Sequence, residues 1–137
     1  MAAYSKIAML VSLVFAFLPV GASAQADLDG EHPSVAEATL LPKFCWGQFL
    51  GNKFKGPQYG FPRDTCGWGM NHYCPGLVAL NRANRSVDNR EKRGFLWGAR
   101  GQVLYTLKAL ERHPQCPIRG EVTRTYQLIE REWSLLQ

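Results

Sequence analysis

Apolar residues recur at helical spacing in the C-terminal half of the chain. Met70, Tyr73, Leu77 and Leu80 lie 3, 4 and 3 residues apart, which places them on one face of a helix predicted over residues 71–85. After a polar turn, a second helix is predicted over residues 90–112, from the repeat of Leu96, Ala99, Val103, Leu107 and Leu110. Its glycines, Gly94, Gly98 and Gly101, weaken a helix, so we expect another backbone or a bulky ring close to them.

Pro114 and Pro117 break this pattern, because two prolines three residues apart cannot both continue one helix. A third helix is predicted over residues 117–135, where apolar side chains return every three or four residues: Ile118, Val122, Tyr126, Ile129, Trp133 and Leu136. No alternating run of β-branched residues predicts a strand. The fold class is therefore all-α, a bundle of three main helices running up, down and up.

Upstream of these helices, the pattern is short and irregular. Residues 42–50 have a proline near a helix start and a Gly-Asn stop, which predicts a short helix. Residues 51–69 contain five glycines and two prolines with no regular period, which predicts a long loop rich in glycine, proline and aromatic residues. A loop of that length in a compact domain is usually pinned or functional, and Cys66 is positioned to pin it.

The chain begins with Lys6 and an apolar run over residues 7–18, followed by Pro19 and the small residues Ala22 and Ala24. This order predicts a signal peptide over residues 1–24, cleaved after Ala24. The alternative is a retained membrane anchor, but the run is shorter than the roughly 20 residues that span a bilayer. Residues 25–40 are polar and acidic, which predicts a loosely held arm, and we expect order to begin near Leu41, in a single domain over residues 41–137.

Four cysteines in a short exported chain predict two disulfides and an oxidising compartment, periplasmic or extracellular. Their spacing lacks the close Cys pairs of a zinc knuckle. The Cα atoms of two bridged cysteines must lie within about 7 Å of each other. The predicted positions of the cysteines along the bundle axis therefore favour disulfides between Cys45 and Cys74 and between Cys66 and Cys116. The alternative joins Cys74 to Cys116 and Cys45 to Cys66, and it needs a shorter second helix.

The charge and the absence of known motifs argue against several classes of function. Without residues 1–24 the chain has 15 basic and 11 acidic residues, a net charge of +4, which is too mild and scattered to favour a nucleic-acid partner. His72 and Met70 lie between two cysteines, but oxidised thiols do not bind metal, so no metal or cofactor is predicted. No serine nucleophile elbow or paired carboxylates occur, so no catalytic residue is predicted and an enzyme is the minority interpretation.

Two surfaces are candidates for partner contact. The first, which we call the basic turn, lies between the first two predicted helices and comprises Arg82, Arg85, Arg90, Lys92, Arg93 and Arg100. It could hold an anionic polymer or an acidic protein face, although arginines at helix ends are often simply solvated. The second is the aromatic loop with Phe54, Tyr59 and Phe61, which could contact a peptide or a glycan or could instead cover an open end of the core.

The stretch from Met70 to Ala83, followed by a long helix and a proline-capped one, resembles uncharacterised bacterial exported proteins built from tetratricopeptide-like helical hairpins. The resemblance covers residues 70–137. It implies scaffolding, because such hairpins bind other proteins through a groove, and it carries over no ligand-contacting residue. The leading hypothesis is an exported, non-catalytic protein-interaction or assembly module of the cell envelope. The alternatives are a protein that binds carbohydrate or anionic lipid and, third, a small hydrolase or metal-binding protein.

Overall fold

The computed structural model describes residues 27–137, so the predicted signal peptide and its cleavage site lie outside the described residues. The described chain is helical and contains no strand. Its six α-helices are α1 (Val35–Thr39), α2 (Trp46–Phe49), α3 (Arg63–Cys66), α4 (Tyr73–Arg85), α5 (Asn89–Leu110) and α6 (Arg119–Ser134). The last three confirm the predicted bundle, with each predicted end within three residues of the observed one. Within residues 27–137, none of the helices combines the length and the apolar composition of a membrane-spanning segment.

The core of the bundle is built from the predicted apolar faces. Leu96, Val103 and Leu110 of α5 and Val122 and Ile129 of α6 are fully buried. Burying side chains of this size stabilises a fold by roughly 1.5–3 kcal/mol each before the entropy cost of ordering them. The same periodicity that predicted the helices therefore also fixes how they pack.

Tyr73 anchors the start of α4 to α6. Its ring is completely buried, and its hydroxyl lies 3.1 Å from a carboxylate oxygen of Glu121 and 2.9 Å from the Thr125 hydroxyl. Burial raises the pKa of Tyr73, so the phenol keeps its proton and donates it within this network. The only large polar side chain of α4 that enters the core is thus satisfied by hydrogen bonds.

Both favoured disulfides are confirmed. Cys45 is bonded to Cys74 with Cα atoms 5.6 Å apart, and Cys66 is bonded to Cys116 with Cα atoms 4.7 Å apart. All four cysteines are buried, and no described cysteine is reduced. The bonds fasten residues 41–69, which we call the stapled segment, to the start of α4 and to the connection between α5 and α6.

The stapled segment differs in detail from the predicted helix and loop. The predicted helix over 42–50 is a 3₁₀ turn (Lys43–Cys45) followed by α2, and the predicted loop contains further 3₁₀ turns (Gly51–Lys53 and Pro57–Tyr59) and α3. A last 3₁₀ turn (Trp68–His72) leads into α4. Glycine and proline prevent any long helix here, as expected, but they leave room for single turns.

Residues 27–40 are not the loose arm that their composition predicts, and order begins well before Leu41. Arg82 on α4 forms ion pairs with Asp27 (3.0 Å) and Glu37 (2.7 Å), while Ala38 is buried. The α1 helix is capped by Ser34, whose hydroxyl accepts a hydrogen bond from the Glu37 N–H while the Glu37 side chain accepts one from the Ser34 N–H. Two of the four acids that made this segment look solvated, Asp27 and Glu37, are therefore partners of a largely buried arginine.

The glycines of α5 explain where this N-terminal segment lies. A Cβ at Gly98 would overlap the Leu28 carbonyl oxygen, and a Cβ at Gly94 would meet the Leu28 side chain at 3.3 Å. The expectation of a nearby backbone is therefore confirmed at Gly98. It is wrong at Gly101, where a Cβ would meet nothing within 4 Å.

Candidate functional site

A groove of about 590 Å³ opens on the stapled segment, and we call it the aromatic groove. Its volume falls within the range of roughly 300–1,000 Å³ that is usual for ligand pockets. Five aromatic side chains line it: Phe44, Phe54, Tyr59, Phe61 and Trp68. Three of them, Phe54, Tyr59 and Phe61, are the aromatic loop residues that the sequence singled out, and the structure brings them together.

Stacked rings build one wall of the groove. The Trp46 ring stacks on Tyr59 with centroids 6.1 Å apart, and Phe54 meets both rings edge-on at 5.3 and 5.0 Å. The Trp46 indole N–H donates to the Leu41 carbonyl at 3.0 Å. This packing requires glycine at position 47, because a Cβ there would overlap the Tyr59 carbonyl oxygen. Edge and offset ring contacts of this kind contribute about 0.5–1.5 kcal/mol each beyond buried area.

The floor of the groove is fixed to the bundle. Gly67 has φ +71°, and a Cβ there would overlap the His113 imidazole, so the chain can turn here only with glycine. The Thr106 hydroxyl donates to the Gly69 carbonyl at 3.1 Å, and the Cys66 to Cys116 bond holds the residue just before the turn. Met70, which lines the floor, is 2% exposed.

The rim of the groove is basic. Lys55 and Arg63 line it, and among its described lining residues none is acidic. The Arg63 guanidinium lies 4.0 Å from the centroid of the Trp68 ring, a cation–π arrangement. Trp68 is 72% exposed, so this stacked pair stands in solvent at the entrance.

His72 braces the start of α4. Its Nδ1–H donates to the Gln102 side-chain oxygen at 2.6 Å, and its ring packs against Tyr105 with centroids 4.1 Å apart. Met70 lies in the core and both nearby cysteines are in disulfides. Within residues 27–137, no three His, Cys, Asp or Glu side chains are grouped to hold a metal ion.

The structure does not assemble the basic turn into one open cationic patch. Arg82 is 15% exposed within its ion pairs to the N-terminal segment, Lys92 pairs with Glu132 at 3.2 Å, and Arg100 pairs with Glu130. Arg93 donates to the Leu136 carbonyl, and Arg85 donates to the Asn81 carbonyl at 3.1 Å. Of the six cations, only Arg90 has no side-chain hydrogen bond or ion pair within the described residues, so the cluster is mainly a set of structural contacts.

The groove and most of the basic turn lie at opposite ends of α4. The groove floor directly precedes this helix, whereas Arg85, Arg90 and Arg93 lie at or beyond its other end, and 13 residues of helix span roughly 20 Å. A small ligand in the aromatic groove therefore does not reach these three arginines. Trp68 is a groove residue that is not among the contact residues predicted from the sequence. The glycines on both sides of it are a usable signal, because they let the chain present the ring outward.

Comparisons with protein-family models, with curated proteins and with solved structures found no match.

Proposed function

We propose that this protein is an exported, non-catalytic protein-interaction module whose partner binds in the aromatic groove. The observation that carries the proposal is the groove itself. It combines five aromatic side chains with a basic, solvent-exposed entrance, and its floor is fixed by a disulfide to the helical bundle. Aromatic and arginine side chains are the residues that most often dominate the free energy of protein association.

The packing of the rings favours a peptide over a glycan. A sugar ring needs an open aromatic face, but Tyr59 stacks on Trp46, Phe44 packs against Phe61 at 4.9 Å, and Arg63 covers one face of Trp68. These contacts occupy ring faces on which a sugar would stack. The spaces between the rings suit the apolar side chains of a bound peptide.

Two disulfides fit a protein that works outside the cytoplasm, where oxidising conditions keep them formed. Export by a cleaved signal peptide, and a partner in the bacterial cell envelope, are part of the proposal. The resemblance to tetratricopeptide-like proteins stays a prediction. It points to the same class of function but to a different surface, since it implies a groove between helical hairpins.

Co-purification with groove variants tests the proposal. Tagged protein is expressed from its full-length precursor, recovered from the cell envelope and analysed for stoichiometric partners by mass spectrometry. We expect Trp68→Ala to lose the partner, because it removes the most exposed ring at the entrance. Trp97→Ala is the matched control, since Trp97 is a similarly exposed tryptophan (63%) on α5 outside the groove.

Retention on isolated cell-wall polymer or anionic vesicles, with no protein partner at low salt, would instead support the alternative of a carbohydrate- or lipid-binding protein. Loss of the protein partner from both tryptophan variants would place the contact elsewhere. Either result would contradict the proposal.

A further inference from the structure

We propose that the aromatic groove selects an acidic peptide segment, in which Asp or Glu flanks an apolar or aromatic anchor. The inference rests on the proposed function, because it names the ligand of the same groove. It follows from three features of the entrance and interior: the balance of charge, the way Arg63 is held, and the space beside Gly60.

The charge of the rim is uncompensated. Among the described cations, Arg82, Lys92 and Arg100 lie in ion pairs with acids of other segments, and the remaining Lys and Arg side chains are unpaired. Lys55 and Arg63 have no ion pair within residues 27–137, and no acid lines the groove between them. Two unpaired cations at one entrance raise the local potential and attract a negatively charged segment.

Arg63 is held in a geometry that leaves its donors available. Stacking on Trp68 uses the face of the guanidinium, whereas hydrogen bonds to a carboxylate use its N–H edge. A planar guanidinium oriented in this way binds a carboxylate through two parallel hydrogen bonds. The stack therefore pre-orders the arginine for an acidic side chain or a chain terminus, and less ordering entropy is lost on binding.

The interior takes the apolar part of the ligand. Gly60 lines the groove in an extended conformation, and a Cβ there would meet nothing within 4 Å. Phe54, Tyr59 and Phe61 line the same groove. A leucine, proline or aromatic side chain bound beside Gly60 would bury apolar surface against these rings.

Selection from a random dodecamer peptide display library on the immobilised, oxidised protein tests the inference even while the partner is unidentified. We expect the pool selected on the wild-type protein to be enriched in Asp and Glu next to apolar residues. The same selection on the double variant Lys55→Glu with Arg63→Glu should lose the acidic bias. The matched control is Lys108→Glu with Arg131→Glu, which reverses two exposed charges outside the groove and should keep the acidic bias.

Fluorescence anisotropy on one enriched peptide gives the magnitude. Exposed ion pairs contribute up to about 1 kcal/mol, so replacing one carboxylate by its amide should weaken binding about three- to fivefold. Raising the salt concentration should lower the affinity for the acidic peptide and leave the affinity for the amide peptide nearly unchanged. In the Gly60→Leu variant, the new side chain should occupy the space of the peptide's apolar anchor and lower the affinity for both peptides. Gly101→Leu, at an equally open glycine of α5, should leave both affinities unchanged.

The outcomes separate this inference from the proposed function. Peptides that need Trp68 but show no acidic bias would overturn the acidic ligand and leave the protein-interaction function standing. A library that yields no Trp68-dependent peptide would contradict both. Binding of phosphatidylglycerol vesicles that needs Trp68, Lys55 and Arg63, with no peptide selected, would overturn the peptide in favour of a lipid headgroup.

Discussion

The helical bundle (α4 to α6) and the stapled segment are held by different means. In the bundle, apolar side chains at helical spacing are buried and fill the core. In the stapled segment, no element exceeds five residues, and two disulfides and a set of ring contacts replace regular packing. Because covalent bonds hold it in place, this segment can present Trp68 to solvent without loss of its fold. The proposed binding surface therefore lies where cross-links supply much of the stability.

The largest expected effect comes from removing a cross-link. In the chain-entropy model, losing the bond between Cys66 and Cys116, which are 50 residues apart, costs about 4 kcal/mol, and losing the bond between Cys45 and Cys74, 29 residues apart, costs slightly less. Urea denaturation of the two double Cys→Ala variants measures both values. If the first variant were as stable as the wild type, the stapled segment would not depend on its cross-links and the comparison would be wrong.

A matched pair of glycines on α5 tests how the N-terminal segment is attached to the bundle. Gly98→Ala should lower the free energy of unfolding by about 2 kcal/mol, because the new methyl group displaces the Leu28 backbone. Gly101→Ala should raise it by up to about 1 kcal/mol, because the site is open and alanine is the better helix former. Thermal denaturation followed by circular dichroism measures both. Equal effects in the two variants would mean that residues 27–32 do not pack on α5.

The ion pairs of Arg82 make stability depend on pH. The hydrogen bond from Arg82 lowers the pKa of Glu37 to about 2, against the effect of burial and with help from Ser34. Burial alone would raise the pKa of Asp27, but hydrogen bonds with Asp29, the His32 N–H and Arg82 outweigh it and lower the pKa to about 2.

A carboxylate whose pKa is depressed in the folded state stabilises the fold above its ordinary pKa, and this contribution disappears as the pH falls through the folded value. We therefore expect the stability to decrease between about pH 4.5 and pH 2, with Glu37 responsible for about 1–2 kcal/mol after allowance for partial solvent exposure. Urea titrations at a series of pH values should show a shallower decrease for Glu37→Gln. Glu111→Gln, at an exposed site, should keep the wild-type slope, and an unchanged slope in Glu37→Gln would contradict the ion pair.

The smallest effect on stability is expected at the groove entrance. Trp68→Ala should change the free energy of unfolding by less than about 0.5 kcal/mol, because the ring is mostly in solvent. Trp97→Ala should cost more, since the Trp97 ring packs against Trp133 with centroids 6.0 Å apart. The melting temperatures of the two variants show which substitution destabilises the protein more. The reverse order would mean that Trp68 serves the fold.

Much of the fold could be predicted from the sequence because it depends on local periodicity. The apolar faces of α4, α5 and α6 could be recognised from residue spacing. The predicted helix lengths also gave the positions of the cysteines along the bundle axis, and these positions favoured the observed disulfides. The α1 helix was missed although Ser34 and Glu37 have the spacing of a capping box, a signal that marks a helix start even where the composition is polar.

The rest depends on contacts between distant segments. Nothing near Arg82 in the sequence indicates that its partners are Asp27 and Glu37, and nothing near Arg100 indicates Glu130 on a neighbouring helix. The basic turn therefore looked like an open cationic surface. The aromatic loop could be recognised as a candidate surface from its sequence. Its groove, however, depends on the close approach of the Tyr59 carbonyl to Gly47 and on the bond between Cys66 and Cys116, and residue spacing alone reveals neither.

Hydrogen exchange with mass spectrometry, on the oxidised protein with and without its co-purifying partner, tests the central claim most directly. We predict that the partner slows amide exchange in residues 54–63 and 67–71, the walls and floor of the aromatic groove, and leaves residues 86–93 of the basic turn unchanged. Slower exchange confined to residues 86–93, with the groove unaffected, would contradict the account.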